Sequence, residues 1–478
     1  MALGKKLKSV FPYFVVASLA MSPFLVFPLV AGAHFYDNQR LIQIFCVLFA
    51  LLAIWFQLIG KPAIPRLFSR PILLLLALLF LLGLVSSSAA YSPRHAFFEW
   101  VNLLLLLCAA WLVAAEISDK GDQLLDKLLQ LCGLACAVYL LLEITIYISV
   151  LKAGIQPKPE QLILGFDNYR FFNYGQTISL PLLGLMAARM SDQGRRLFWW
   201  GVTALWWMLL FVSAGRGTFV GVTVAIALAW FVLRGSARAW CRAMLFAGLA
   251  GLFAYLIFYV AIPLLLGLEP FGLLPAVGDR SLQNPTSGRL PLWARALEMI
   301  LEDPWLGAGP MHFAHYGRDL GIGASPHNWP LQIGSEWGLP ALLLLCGVLL
   351  LALRKLWQLR MIVAAKDQDT LTAWLVTGLA ILVDGLVSGL LVMPISQLWI
   401  ALYAGCAWGW CNALVPSANT LTLRPSRLQF VLLTLGALLL MFALVSGIWP
   451  ELKELDVRNG FYSETQSLFP RIFSNGNF

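Results

Sequence analysis

The sequence predicts an all-α fold, a polytopic transmembrane helical bundle of about 12–13 spans with one large polar loop that carries short helices. Three observations predict it. The chain has 478 residues, of which 60% are hydrophobic and only 12% charged, against about 25% charged in soluble globular proteins. Apolar runs of roughly 20 residues, the length that crosses a bilayer as a helix, recur near residues 22, 50, 80, 107, 139, 183, 205, 226, 255, 346, 382, 406 and 438. The segments between them are alternately rich and poor in Lys and Arg. In hydrocarbon each backbone amide must find its partner inside its own segment, which leaves helices as the economical solution.

The chain opens with Lys5, Lys6 and Lys8 ahead of an apolar stretch from Phe11 to Ala33. A signal peptide has the same order of features, but this stretch exceeds an apolar region of 7–15 residues, so it reads as a retained first span. With the start on the cytoplasmic side, 20 of the 33 Lys and Arg residues fall in seven short inner segments, as the positive-inside rule expects. The formal net charge of +9 then reflects membrane orientation and is no signal for nucleic acid. The eight cysteines lie in apolar spans or on the inner side, so neither disulfides nor a metal site follows from them. The same orientation places a 268–337 loop outside, between spans in 1–267 and spans in 338–449, with an outer tail over 450–478.

That loop concentrates four arginines, three of the five histidines and four tryptophans. Pro291 suits a first helical turn. Leu292, Trp293, Ala296, Leu297, Ile300 and Leu301 recur at helical spacing, with Arg295, Glu298 and Glu302 on the polar side. Such a helix lies flat on the membrane or packs on the bundle, and the run Asp303 to Pro310 ends it. Ser325-Pro326 reads as a second helix start, with His327 in its first turn. There the helix dipole favours a neutral imidazole able to accept a hydroxyl proton. A surface histidine bonded to backbone has the same sequence signature.

Arg216 and Arg289 each follow a glycine, which lets backbone approach a ligand. Their guanidinium forks suit diphosphate oxygens, although lipid headgroup anchoring also fits. Arg170 and Arg280 are weaker candidates of this kind. Glu143 and Asp384 are carboxylates within spans, where charge calls for a partner or a polar cavity. His312, His315 and Glu336 carry no assigned role, and any of them is a candidate for orienting His327. The loop tryptophans Trp293, Trp305, Trp329 and Trp337 suit sugar stacking or an interfacial belt. The chain has no P-loop, no dinucleotide glycine fingerprint, no paired metal carboxylates and no nucleophile elbow, so the expected set of cofactors is empty and no metal is expected.

The stretches SGRLPLWARALEMILEDPWLGAGPMHF and PHNWPLQIGSEWGLP, with SAGRG upstream and GFDNYRFFNYGQT, resemble the signature region of the bacterial O-antigen ligase superfamily. That superfamily includes protein O-oligosaccharyltransferases and, more distantly, O-antigen polymerases. The resemblance implies a metal-independent inner-membrane glycosyltransferase facing the periplasm. It would move a glycan from undecaprenyl diphosphate to an acceptor hydroxyl on a pilin-like protein or on lipid A–core. It implies His327 as general base, with Arg216 and Arg289 holding the diphosphate. A polymerase is the alternative within the family. A polysaccharide transporter or flippase is the alternative outside it, but the internal repeats common in transporters are missing.

Overall fold

The computed structural model describes every residue except 1, 60–62, 66, 274–287, 415–419, 423–425, 456–469, 475 and 477. Helices α1 (Ala2–Met21), α2 (Phe35–Ile59), α3 (Arg70–Ala89), α4 (Pro93–Lys120), α5 (Asp122–Lys152), α6 (Pro159–Leu162), α7 (Tyr169–Arg189), α8 (Gln193–Val212) and α9 (Arg216–Leu233) form the first half of the chain. The second half holds α10 (Arg238–Leu256), α11 (Ile262–Leu265), α12 (Leu290–Glu302), α13 (Phe313–Tyr316), α14 (Trp329–Trp337), α15 (Leu339–Leu359), α16 (Gln368–Asp384), α17 (Pro394–Leu414) and α18 (Arg427–Lys453). One short antiparallel ladder pairs β1 (Ala63–Pro65) with β2 (Thr420–Thr422). Among the described residues, 9 helical stretches are long and apolar enough to cross a membrane. The protein is an all-α polytopic membrane protein.

The first span differs from the sequence expectation. It covers Leu3–Phe24 instead of Phe11–Ala33. Helix α1 stops at Met21 because Ser22-Pro23 opens a 3-10 turn, and Pro28 follows in irregular chain, where proline cannot continue a helical bond ladder. Lys5, Lys6 and Lys8 therefore lie on the helix, and Lys8 reaches Glu116 at 3.0 Å.

The chain divides into two compact units. The first comprises Met1–Leu125, Arg289–Lys355 and Leu391–Phe478. Its centre is α4, packed by α1, α2, α3, α17 and α18. Gly405 and Gly409 lie four residues apart on α17, and a Cβ on either would come within 2.7 Å of the α4 carbonyls of Ala110 and Ala114. Paired small residues allow this backbone approach between membrane helices. The second unit comprises Asp126–Gly288 and Leu356–Leu390. Its core helix is α7, buried continuously from Phe172 to Ala187.

Burial of α7 on all sides explains why its span is the least apolar in the sequence. Asn173, Gln176, Thr177 and Ser179 all face protein, and each makes at least one hydrogen bond. Asn173 Nδ2 donates to Gln176 Oε1 (2.8 Å) and Ser213 Oγ (2.6 Å), Gln176 Nε2 donates to the Trp206 carbonyl (2.9 Å), and Trp206 Nε1 donates to Ser179 Oγ (3.0 Å). Satisfied polar groups are tolerated inside a bundle where lone ones are costly.

Candidate functional site

Within the first unit, α12 packs on α14, and Leu292, Ala296 and Met299 of α12 form a core with Phe313 of α13, against which Leu331 of α14 rests. The glycine-rich run after α12 folds onto the end of α14. The Ala308 and Gly309 N–H groups donate to the Ser335 and Glu336 carbonyls (2.9 and 3.0 Å), and the Leu339 N–H donates to the Pro304 carbonyl (2.8 Å). Carbonyls that a helix end would leave open are thereby filled. Gly338 has φ 87°, and a Cβ there would lie 2.3 Å from the Trp305 carbonyl oxygen. Only glycine fits both the dihedral and the gap.

His327 is not in the first turn of a helix. Asn328 is the N-cap of α14; its Oδ1 accepts the Leu331 N–H at 3.0 Å, and Pro330 occupies the first turn. Asparagine caps well because its carbonyl reaches those early amides, and proline there loses no helical bond. This displaces the helix start from Ser325-Pro326 and leaves His327 just ahead of the cap, half-buried, with φ 52°.

The turn bearing His327 is held on both sides. The Pro326 carbonyl accepts Trp293 Nε1 at 3.0 Å, and the Ala324 carbonyl accepts Arg471 Nη1 at 3.1 Å. A Cβ on Gly323 would lie 3.4 Å from His327 Nε2. Trp293 lies one helical turn after Arg289, its backbone N–H making the first helical bond to the Arg289 carbonyl at 3.0 Å. Arg289 is the N-cap of α12. The helix that Arg289 begins thus carries, one turn on, the tryptophan that holds the backbone of the His327 turn.

Glu336 is buried in α14. Its Oε1 accepts the Phe313 N–H at 3.0 Å, and Arg471 Nη2 donates to Oε1 and Oε2 at 3.0 and 2.8 Å. The Arg471 carbonyl accepts Tyr36 Oη (2.6 Å) and Arg40 Nη2 (2.6 Å) in turn. Arg40 also donates to the Ile472 carbonyl, Gln43 and Gln397. Asp37 accepts the Ser474 N–H (2.7 Å) and Oγ–H (3.0 Å). Sequence reasoning missed this anchor for the tail. Its trace was there to find: Asp37, Arg40 and Gln43 are spaced three apart at the start of a span, and polar groups so placed need partners.

His312 is fully buried. Its Nε2 accepts the Ser92 N–H at 2.9 Å, so the proton sits on Nδ1, which donates to the Pro310 carbonyl at 2.9 Å. Burial pushes its pKa below the ordinary 6.5. Outside, Arg295 is held charged by its bonds to Asp319 (2.9 and 3.0 Å) and Glu298, and the Asp319 carboxyl is correspondingly lowered.

The second unit holds Arg216, Arg170, Glu143 and Asp384. In the SAGRG run, Ala214 is left-handed (φ 50°) and Gly215 abuts Asn173, where a Cβ would meet Cγ at 2.6 Å. Arg216 then opens α9. A Cβ on the next residue, Gly217, would lie 2.4 Å from Asp384 Oδ1. Asp384 Oδ2 accepts Thr177 Oγ1 (2.5 Å) and Thr218 Oγ1 (3.3 Å). Asp384 is thereby set against the first turn of the helix that Arg216 begins. Arg170 is exposed in the first turn of α7. Glu143 Oε1 accepts the Leu164 N–H at 3.3 Å, beside Tyr139 donating to the Leu164 carbonyl at 2.8 Å, a clasp on the connection between α5 and α7. Arg280 lies outside the described residues. Among the described residues, no group of three His, Cys, Asp or Glu side chains suits a metal ion.

Residues 201–346 match the family model for O-antigen ligase. That stretch includes Arg216, Arg289, His327 and Glu336. An O-antigen ligase of Pseudomonas aeruginosa is 31% identical over 187 residues, which cover 39% of this chain and 40% of that protein. The chain thus spans less than half the length of this relative. In the matched stretch, which holds SAGRG, α12 and the His327 turn, the chain is similar to the O-antigen ligase family.

Proposed function

We propose that the protein is an inner-membrane glycosyltransferase with its active site facing the periplasm. It transfers a glycan en bloc from undecaprenyl diphosphate to an acceptor hydroxyl, on a pilin-like protein or on lipid A–core. The observation that carries this reading is the bond from Trp293, one helical turn after Arg289, to the His327 turn, inside the stretch that matches the family model.

In this scheme His327 takes the acceptor proton as the new bond forms to the anomeric carbon. The bond from that carbon to the diphosphate breaks, and undecaprenyl diphosphate leaves with the electron pair. Arg289 and Arg216 neutralise the charge that develops on it, the form of catalysis in which fixed cations meet developing negative charge. The glycosyl–diphosphate bond of the donor supplies the driving force. Direct displacement inverts the anomeric centre, and retention in the product would refute it.

The test is reconstitution of the purified protein with a lipid-diphosphate-linked glycan, offered a pilin or lipid A–core in separate vessels. One acceptor becomes glycosylated, and His327→Ala lowers the rate by about 10²–10⁴, the usual size of general-base assistance. Longer lipid-linked glycan as the sole product assigns a polymerase instead. Unchanged turnover by a well-folded His327→Ala variant removes the base assignment.

A further inference from the structure

Helix α12 has more apolar surface than its packing uses. Leu292, Ala296 and Met299 are buried against Phe313. Leu290, Ala294, Leu297 and Leu301 follow at spacings of four, three and four, which places them on one face, and that face is exposed. Leu301 is 82% exposed, and Trp305 just beyond the helix is 75% exposed. Arg295, Glu298 and Glu302 form the third face, where Arg295 pairs with the exposed Asp319. The order around the helix is core, apolar stripe, then charge.

We propose that α12 is an interfacial helix whose stripe of Leu290, Leu297, Leu301 and Trp305 inserts into the bilayer surface at the start of span α15. Continuity with α15 identifies lipid as the occupant. The Leu339 N–H at the first residue of that span bonds the Pro304 carbonyl at 2.8 Å. The absent Cβ of Gly338 would touch the Trp305 carbonyl. Trp305 therefore sits at the level where α15 enters hydrocarbon, the depth at which tryptophan is favoured. Leu339 and Leu343, on α15 itself, are exposed at 40% and 72%, so the stripe extends an apolar surface that the membrane must cover. A helix with a charged face and a separate apolar face is the form that lies in the headgroup boundary. This placement fixes the depth of Arg289, the cap of the same helix. It does not depend on the proposed reaction.

The test uses single cysteines at Leu301→Cys, Trp305→Cys and Ala294→Cys, with Glu298→Cys and Glu302→Cys as the aqueous face. The background carries Cys108→Ser and Cys346→Ser, because those two native thiols are only half-buried. Each variant bears the environment-sensitive fluorophore NBD, with one protein per phosphatidylethanolamine/phosphatidylglycerol nanodisc. Labels at 294, 301 and 305 should emit at shorter wavelength than those at 298 and 302. They should also bleach more slowly with dithionite and be quenched by doxyl lipid. Bleaching of 294, 301 and 305 as fast as 298 and 302 overturns the proposal. So does shielding that arises only when two protein copies share a disc, or that persists in lipid-free amphipol, because protein would then be the cover.

Discussion

Arg471 and Glu336, 135 residues apart in sequence, form a two-pronged ion pair at 2.8 and 3.0 Å with both side chains 2% exposed. The pair joins the tail to α14 while the same guanidinium holds the Ala324 carbonyl beside the His327 turn. Removing one partner of a buried pair strands the other charge, at about 3–5 kcal/mol. Arg471→Met and Glu336→Gln should each lower the thermal midpoint in detergent. The double variant should lose less than the two losses added, as expected of coupled neighbours; strict additivity would show that the groups do not interact.

Trp293→Phe keeps most of the ring volume and deletes the bond to the Pro326 carbonyl. An unsatisfied buried acceptor costs about 1–3 kcal/mol. The variant should fold, and its transfer rate should fall more than its apparent affinity for the lipid donor, because the change acts on the placement of His327. Steady-state kinetics with varied donor would show this; an effect on KM alone would assign Trp293 to binding.

Arg289→Lys and Arg216→Lys retain charge and lose the planar fork. Charged hydrogen bonds contribute about 1.5–3 kcal/mol, so each change should reduce kcat/KM for the donor by about tenfold or more. Full activity of the lysine variants would mean that a point charge suffices.

His312 gives stability a pH dependence of definite sign. Its folded pKa is below the ordinary 6.5 because of burial, so the unfolded chain takes up the proton first as pH falls. The contribution is complete above about 6.5 and is lost progressively below it. Thermal midpoints measured between pH 8 and pH 5 (roughly one and a half units either side of that value) should fall more steeply for the natural protein than for His312→Gln. Equal slopes would show that His312 remains accessible to protons in the fold.

Gly338→Ala would combine a strained left-handed residue with a clash 2.3 Å from the Trp305 carbonyl. Overpacking of this kind costs about 1–3 kcal/mol, to be read as a lower midpoint and a smaller monodisperse fraction on gel filtration.

Much of the helical plan was visible in the sequence because apolar length reports membrane crossing directly. The loop helix was visible too: Pro291 near its start and the Asp303 run at its end mark α12 as it stands. The His327 turn was misread because Ser325-Pro326 and Asn328 are both acceptable helix starts, and tertiary bonds to Ala324 and Pro326 decide between them. Hydropathy undersells α7, whose polar residues bond partly along the helix and partly to neighbours distant in sequence, such as Trp206 and Asp384. The anchor made by Arg40, Arg471 and Glu336 left only half a trace: the spacing of Asp37, Arg40 and Gln43 shows that partners are needed, but nothing local names Arg471 and Glu336, which lie hundreds of residues away.

The reach of Arg471 also orders biosynthesis. By the time the ribosome has made the loop from Arg289 to Trp337, more than a hundred further residues must follow before the partner of Glu336 exists. Until then the carboxylate and the turn beside it lack their arginine. A nascent or truncated polypeptide ending before residue 471 would insert its helices yet leave this part unset, which ties completion of the local geometry to synthesis of the segment around Arg471.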